Sequence, residues 1–181
     1  MNKHNATIWI SGVTASGKTT LGKFLLDDLI KYGIKRIKFF DGDILRKKLN
    51  QNYGYSLEDR YKVLEKNIDL VKKESNKGNI IIISVVSHKR KMRELARNRL
   101  GNFMEINLKC SPQVCLERDF KGVYSKLNIN DKECLPGVTE PYEFSELADL
   151  ILDTENNSIQ NSRKILFSKT IEFLNSKIIE Q

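Results

Sequence analysis

At 181 residues, with the mix of apolar and charged residues ordinary for a soluble chain, the protein can enclose a sizeable core, and a single domain over 1–181 is expected. Its net charge of +8 is scattered rather than gathered in blocks, and no basic stripe interleaved with aromatics occurs, which argues against nucleic acid as a partner. A polar start and short apolar runs argue against a signal peptide or membrane span, and three cysteines, Cys110, Cys115 and Cys134, without metal-ligand spacing to the histidines, point to a reducing cytoplasm and no membrane partner.

The first apolar run, Ala6 to Ile10, reads as a strand, and it leads into Gly12-x-x-x-x-Gly17-Lys18-Thr19 and a helix predicted over Leu21 to Tyr32. Glycines let the backbone turn tightly enough to aim successive N–H groups inward, which at a helix N-terminus makes a nest for phosphate oxygens. Gly12, Thr14, Ala15, Ser16, Gly17, Lys18, Thr19 and Thr20 are therefore the expected ATP-binding residues. Lys18 would reach the β and γ phosphates and the Thr19 hydroxyl would ligate Mg²⁺. The bland alternative is a Gly-rich strand-to-helix turn with a surface lysine.

Further strands are predicted at 37–40, 79–84, 103–108 and 150–152, and helices at 57–77, 89–100, 112–120 and from 158 onward. Runs such as Asn79-Ile80-Ile81-Ile82-Ile83-Ser84 show no alternation, so both faces of the strand should be buried. That pattern predicts an α/β fold with a doubly wound parallel sheet of the P-loop type, whose ligands gather at the carboxyl ends of the strands.

At the end of the second strand Asp41 and Asp43 flank Gly42, with Arg46 one helical turn later. A carboxylate there can take a proton from an attacking hydroxyl or hold Mg²⁺ through water, and Arg46 can grip an anionic acceptor. Asp43 can equally be a plain N-cap for the helix that follows, and the two roles are compatible. The stretch 119–143, which starts just after Arg118 and contains Lys121, Gly122, Pro136, Gly137 and Pro141, reads as a mobile basic lid that would exclude water and offset phosphate charge. A merely structural loop is its alternative.

Five segments in order, Gly12-Val13-Thr14-Ala15-Ser16-Gly17-Lys18-Thr19-Thr20, "DGDILR", "GYSLEDR", "CLERDFKGVY" and "GVTEPYE", resemble the adenylylsulfate kinase family over nearly the whole chain. The resemblance implies a kinase that moves the γ phosphate of ATP to the 3′-hydroxyl of a nucleotide conjugate, with adenylyl sulfate as the default acceptor. It implies Asp43 as base or metal partner with Asp41 beside it, Arg46 and Arg60 as acceptor-binding arginines, and Tyr55 stacked on the acceptor base. Lys121 would lie over the phosphates, Arg118 would join the ATP site, and Ser87 the acceptor site. The chain departs from the family pattern after Arg60, where Val63, Glu65 and Lys66 replace an asparagine and two arginines. It departs again at Leu135-Pro136-Gly137, where Phe-Thr-Gly is usual, and at Ser87-His88-Lys89-Arg90, where Ser-Pro-Tyr-Arg is usual. Leu135 would thus be the second wall of the base clamp, reduced from an aromatic. Two alternatives stay open: a kinase of a pyrimidine conjugate such as cytidine diphosphoramidate in capsule modification, and a regulator that binds ATP without transferring phosphate. The oligomeric state, a homodimer included, is also open.

Overall fold

The computed structural model describes residues 5–49, 53–119, 122 and 135–179. Five strands, β1 (Ala6–Ser11), β2 (Ile37–Asp41), β3 (Ile80–Val85), β4 (Phe103–Lys109) and β5 (Leu150–Asp153), pair in parallel in the order β2-β3-β1-β4-β5. The helices are α1 (Lys18–Lys31), α2 (Gly42–Lys48), α3 (Leu57–Ser75), α4 (Arg90–Arg99), α5 (Pro112–Glu117) and α6 (Ile159–Ile179).

Successive side chains of a strand point to opposite faces, so an unbroken apolar run needs cover on both. Ile8, Ile10, Ile80, Ile82, Met104 and Ile106 pack on Leu21, Leu25 and Leu29 of α1 and Leu166 of α6. Trp9, Ile81, Ile83 and Phe103 face the other way, onto Leu64, Ile68 and Val71 of α3 and Met92 and Ala96 of α4. The doubly wound α/β architecture expected from the apolar runs is the observed one. Because β1 sits between β3 and β4, the chain leaves its carboxyl end toward one side and later builds the other, and the crevice of the sheet opens at that point.

Three local features depart from the sequence expectation. Helix α1 begins at Lys18 rather than Leu21, because the loop before it closes on Gly17 in a left-handed conformation (φ 94°) and the chain is helical at once. Helix α5 ends at Glu117, short of residue 120. The cap of α2 is Asp41 and not Asp43: the Asp41 carboxylate accepts from the N–H groups of Asp43 at 2.9 Å and Ile44 at 3.2 Å. The reason is geometric. Strand β2 pairs with β3 through Asp41, opposite Ser84, and the chain turns into the helix at Gly42, where a Cβ would come within 2.8 Å of the Ser84 carbonyl oxygen.

Candidate active site

The loop after β1 is shaped for an anion. Ala15 (φ 61°) and Gly17 (φ 94°) both adopt left-handed backbone, which turns the N–H groups between them inward, and no side chain caps the N-terminus of α1. Gly12 is required by a close approach: a Cβ there would stand 2.7 Å from the Ser16 hydroxyl, which is buried and, among the described residues, without a hydrogen-bond partner. Lys18 donates to the Val13 carbonyl at 2.6 Å, so its ammonium lies along the loop. Thr14 and Ala15 line the half-exposed part of the loop, and Thr20 is exposed on the first turn of α1. Behind the loop, the Thr154 hydroxyl donates to the Ser16 carbonyl at 3.1 Å, and Arg118 donates to the Thr154 carbonyl at 3.1 Å. Arg118 is therefore joined to the loop through one intermediate residue.

The Thr19 hydroxyl donates to Asp41 at 2.5 Å, which joins the phosphate loop to the end of β2. A hydroxyl and a carboxylate side by side are the oxygen donors a hard divalent cation takes, so the pair fits Mg²⁺. Asp41 is buried and its two oxygens are committed to Thr19 and to the helix cap, whereas Asp43 is exposed in the first turn of α2, the end of the helix where negative charge is favoured. The two carboxylates thus have different environments and separable roles.

Three residues expected on the acceptor side come together at the start of α3. The Arg46 guanidinium lies over the Tyr55 ring, 4.3 Å from its centroid, and that of Arg60 lies 5.4 Å from it. Arg60 also donates to the Tyr55 carbonyl at 3.1 Å, and Arg46 to the carbonyls of Tyr53 at 3.1 Å and of Gly54. A tyrosine ring flanked by guanidinium groups is held by cation–π attraction, and it presents two cations beside an aromatic surface. Leu135 is not part of this cluster. It is buried with Val13, Cys110 and Cys115, with Val114 and Tyr142 against it, so it backs the phosphate loop instead of standing open as a wall facing Tyr55. An exposed aliphatic side chain at that position would gain nothing from water, whereas the apolar recess behind Val13 covers it.

Ser87 follows β3 with φ 36°, an uncommon conformation for a residue with a side chain, and is buried. Its neighbour His88 is fully buried and bonds Glu140 at 3.0 Å, and Lys89 reaches the same carboxylate at 2.8 Å. Burial pushes the His88 imidazole below its ordinary value, opposed by the Glu140 hydrogen bond and reinforced by the charge of Arg60. The end of β3 lies beside the turn into α2, where Asp41 pairs with Ser84 and a Cβ on Gly42 would meet Val85, so the loop after β3 starts next to Asp43.

Of the region expected as a lid, Lys121 and Cys134 lie outside the described residues, and 135–143 is built into the fold. A tight turn closes with Gly137 donating to Glu140 at 2.7 Å, and a Cβ on Gly137 would meet Val13 at 2.9 Å. Tyr142 donates to the Ser11 hydroxyl at 2.8 Å, and the Glu143 N–H donates to the His88 carbonyl at 2.9 Å. This stem is anchored to β1 and to the loop after β3 by these bonds. The Cys115 thiol is a poor nucleophile: burial pushes it up to about 12, with its bond to Cys110 adding to the shift.

Tyr142, Glu140 and the buried pair Arg93 and Glu105 were not singled out from sequence. The signal was present for the pair. Arg93 stands between Met92 and Ala96 on the apolar side of α4, and Glu105 interrupts an apolar strand, so each needed a partner. Among the described residues no group of three or more histidine, cysteine or acidic side chains could hold a metal, and no helix is long and apolar enough to cross a membrane.

Comparison with known proteins agrees with this geometry. Residues 4–153 match the family model described as adenylylsulphate kinase. The adenylyl-sulfate kinase of Halothermothrix orenii is 32% identical, with 97% of this chain and 92% of that protein covered. A probable adenylyl-sulfate kinase of Archaeoglobus fulgidus is 37% identical over 83% of this chain and 96% of its own length. In structure, the APS kinase CysC of Mycobacterium tuberculosis, solved in complex with AMPPNP and APS, superimposes with a TM-score of 0.82 at 26% identity, covering 93% of this chain and 98% of that one. A phosphate loop at the crevice of a 2-3-1-4-5 sheet and a match running through all five strands lead to one conclusion: the chain belongs to the adenylylsulphate kinase family, phosphotransferases with a hydroxyl acceptor.

Proposed function

We propose that this protein transfers the γ phosphate of ATP to the 3′-hydroxyl of adenylyl sulfate, giving 3′-phosphoadenylyl sulfate, in the cytoplasm. The observation that carries the reading is the Thr19–Asp41 bond, because it brings the phosphate loop against the end of β2, two residues before Asp43. The loop N–H groups and Lys18 bind the donor phosphates and neutralise the charge that gathers on the migrating group. Thr19 and Asp41 would hold Mg²⁺, which when bound would supply charge neutralisation to the donor phosphates. Asp43, exposed at the mouth of the crevice, accepts the proton of the attacking hydroxyl. Arg46 and Arg60 hold the anionic tail of the acceptor, and Tyr55 offers a face to its base.

The position of Leu135 favours a second reading. With leucine buried behind Val13, the base has one aromatic wall at Tyr55, and a stack on one face is worth about 1–3 kcal/mol less than a stack on two. A smaller pyrimidine conjugate, cytidine diphosphoramidate for instance, loses less from that difference. A coupled ADP-release assay across adenylyl sulfate, the cytidine conjugate and unconjugated nucleotides decides the matter by the ratio of kcat/KM values. Adenylyl sulfate is expected to lead. A higher value for the pyrimidine conjugate would reassign the acceptor, and ATP binding with no turnover of any acceptor would make the protein a regulator.

A further inference from the structure

Arg93 is fully buried and spends its guanidinium on three parts of the chain at once. Its Nε donates to Glu105 on β4 at 2.9 Å, one Nη to the carbonyls of Ser87 at 2.5 Å and Lys89 at 3.3 Å, and the other Nη to the carbonyl of Glu143. The same group lies 5.1 Å from the centroid of the Tyr142 ring, whose hydroxyl is tied to β1. A left-handed conformation at a residue with a Cβ persists only where its surroundings hold it, and here the holding group at Ser87 is this guanidinium.

We infer that Arg93 is a positioning residue for the acceptor side of the site: it locks Ser87 in its strained conformation and binds the loop after β3 and the 140–143 stem into one rigid wall. Glu105 aims the guanidinium, and Arg97, 3.2 Å from the other Glu105 oxygen, holds Glu105 in turn. Among the described residues Arg93 makes no bond to the donor loop itself, whose tie to the wall runs through Tyr142 and Ser11. The inference rests on the proposed reading in taking the loop after β3 as the border of the acceptor, since β3 ends beside the turn that carries Asp43: Asp41 pairs with Ser84, and a Cβ on Gly42 would meet Val85.

Two variants test it. Arg93→Lys keeps a cation beside Glu105 but cannot bridge Ser87 and Glu143 together, because an ammonium is a point donor and a guanidinium is a fork. Arg93→Met with Glu105→Gln removes both charges of the pair while keeping an acceptor for Arg97 and Asn107. In folded protein each is expected to raise the KM for adenylyl sulfate by about tenfold or more while the KM for ATP stays within about twofold. Amide exchange should quicken over 86–90 and 140–143 together and stay unchanged elsewhere. Unchanged KM values, KM values that rise together, or exchange that quickens uniformly would overturn the inference and leave Arg93 a general stabiliser. If wild type fails to turn over adenylyl sulfate, the proposed function falls, and the exchange pattern alone then decides the role of Arg93.

Discussion

At the scale of single residues, the two aspartates after β2 separate a cap from a candidate base. Asp43→Asn removes a negative charge from an exposed side chain without touching the Asp41 cap, so turnover should fall by about a hundredfold or more while the urea midpoint stays near wild type. Asp41→Ala should also cost about 1 kcal/mol of stability, because it removes the acceptor of two helix N–H groups. Equal stability losses in the two variants would show that the capping assignment is wrong. His88 gives a pH dependence with a definite sign. Burial lowers its pKa in the folded state, so the unfolded chain gains a proton near pH 6.5 that the folded chain still resists. The neutral-His contribution is whole above that pH and is lost as pH falls from about 6.5 toward the lower folded value. Urea unfolding at pH 7.5 and 5.5 should show a drop for wild type that His88→Gln lessens.

At the scale of elements, the fit of α1 on the sheet depends on a glycine inside a helix. Gly22 is a poor helix former, and the reason for it lies on the neighbouring strand: a Cβ there would meet the Phe39 ring of β2 at 2.5 Å. Alanine or valine must push either the helix or the ring aside. Gly22→Val should therefore destabilise the protein by about 1–3 kcal/mol, read from urea denaturation, although it raises the apolar content of a buried position. A neutral result would mean that the α1–β2 contact yields freely. Much of the element order could be read beforehand, since the strand cores Ile8 to Ile10 and Ile80 to Ile83 are contiguous and apolar on both faces. The caps could not, because which aspartate reaches the helix N–H groups depends on how far β3 extends the pairing of β2.

At the scale of the molecule, the site joins a donor loop, an acceptor cluster and a stem, and Leu135 marks the end of the stem that packs on the donor loop. Buried against Val13, it belongs to the donor side, and a phenylalanine there would overfill the recess by an amount that costs about 1–3 kcal/mol. Leu135→Phe is accordingly expected to lower the melting temperature and to raise the KM for ATP, leaving the KM for the acceptor nearly unchanged. An improved acceptor KM with an unchanged ATP KM would instead restore Leu135 to the base clamp.

The phosphate loop, the order of strands and helices, the doubly wound α/β class and the family resemblance were all legible in the chain alone. Each of these is written in contiguous residues: a nest needs only its own glycines and the helix after it, and a strand buried on both faces needs only its own apolar run. Tertiary structure decided the rest. The bond from Tyr142 to Ser11 spans 131 residues, the bonds from Arg93 reach 12 residues to Glu105 and 50 to Glu143, and Thr19 finds Asp41 across 22. Such pairs are selected by the sheet order and by the need of each buried polar group for a partner, and neither is contained in any single stretch of chain.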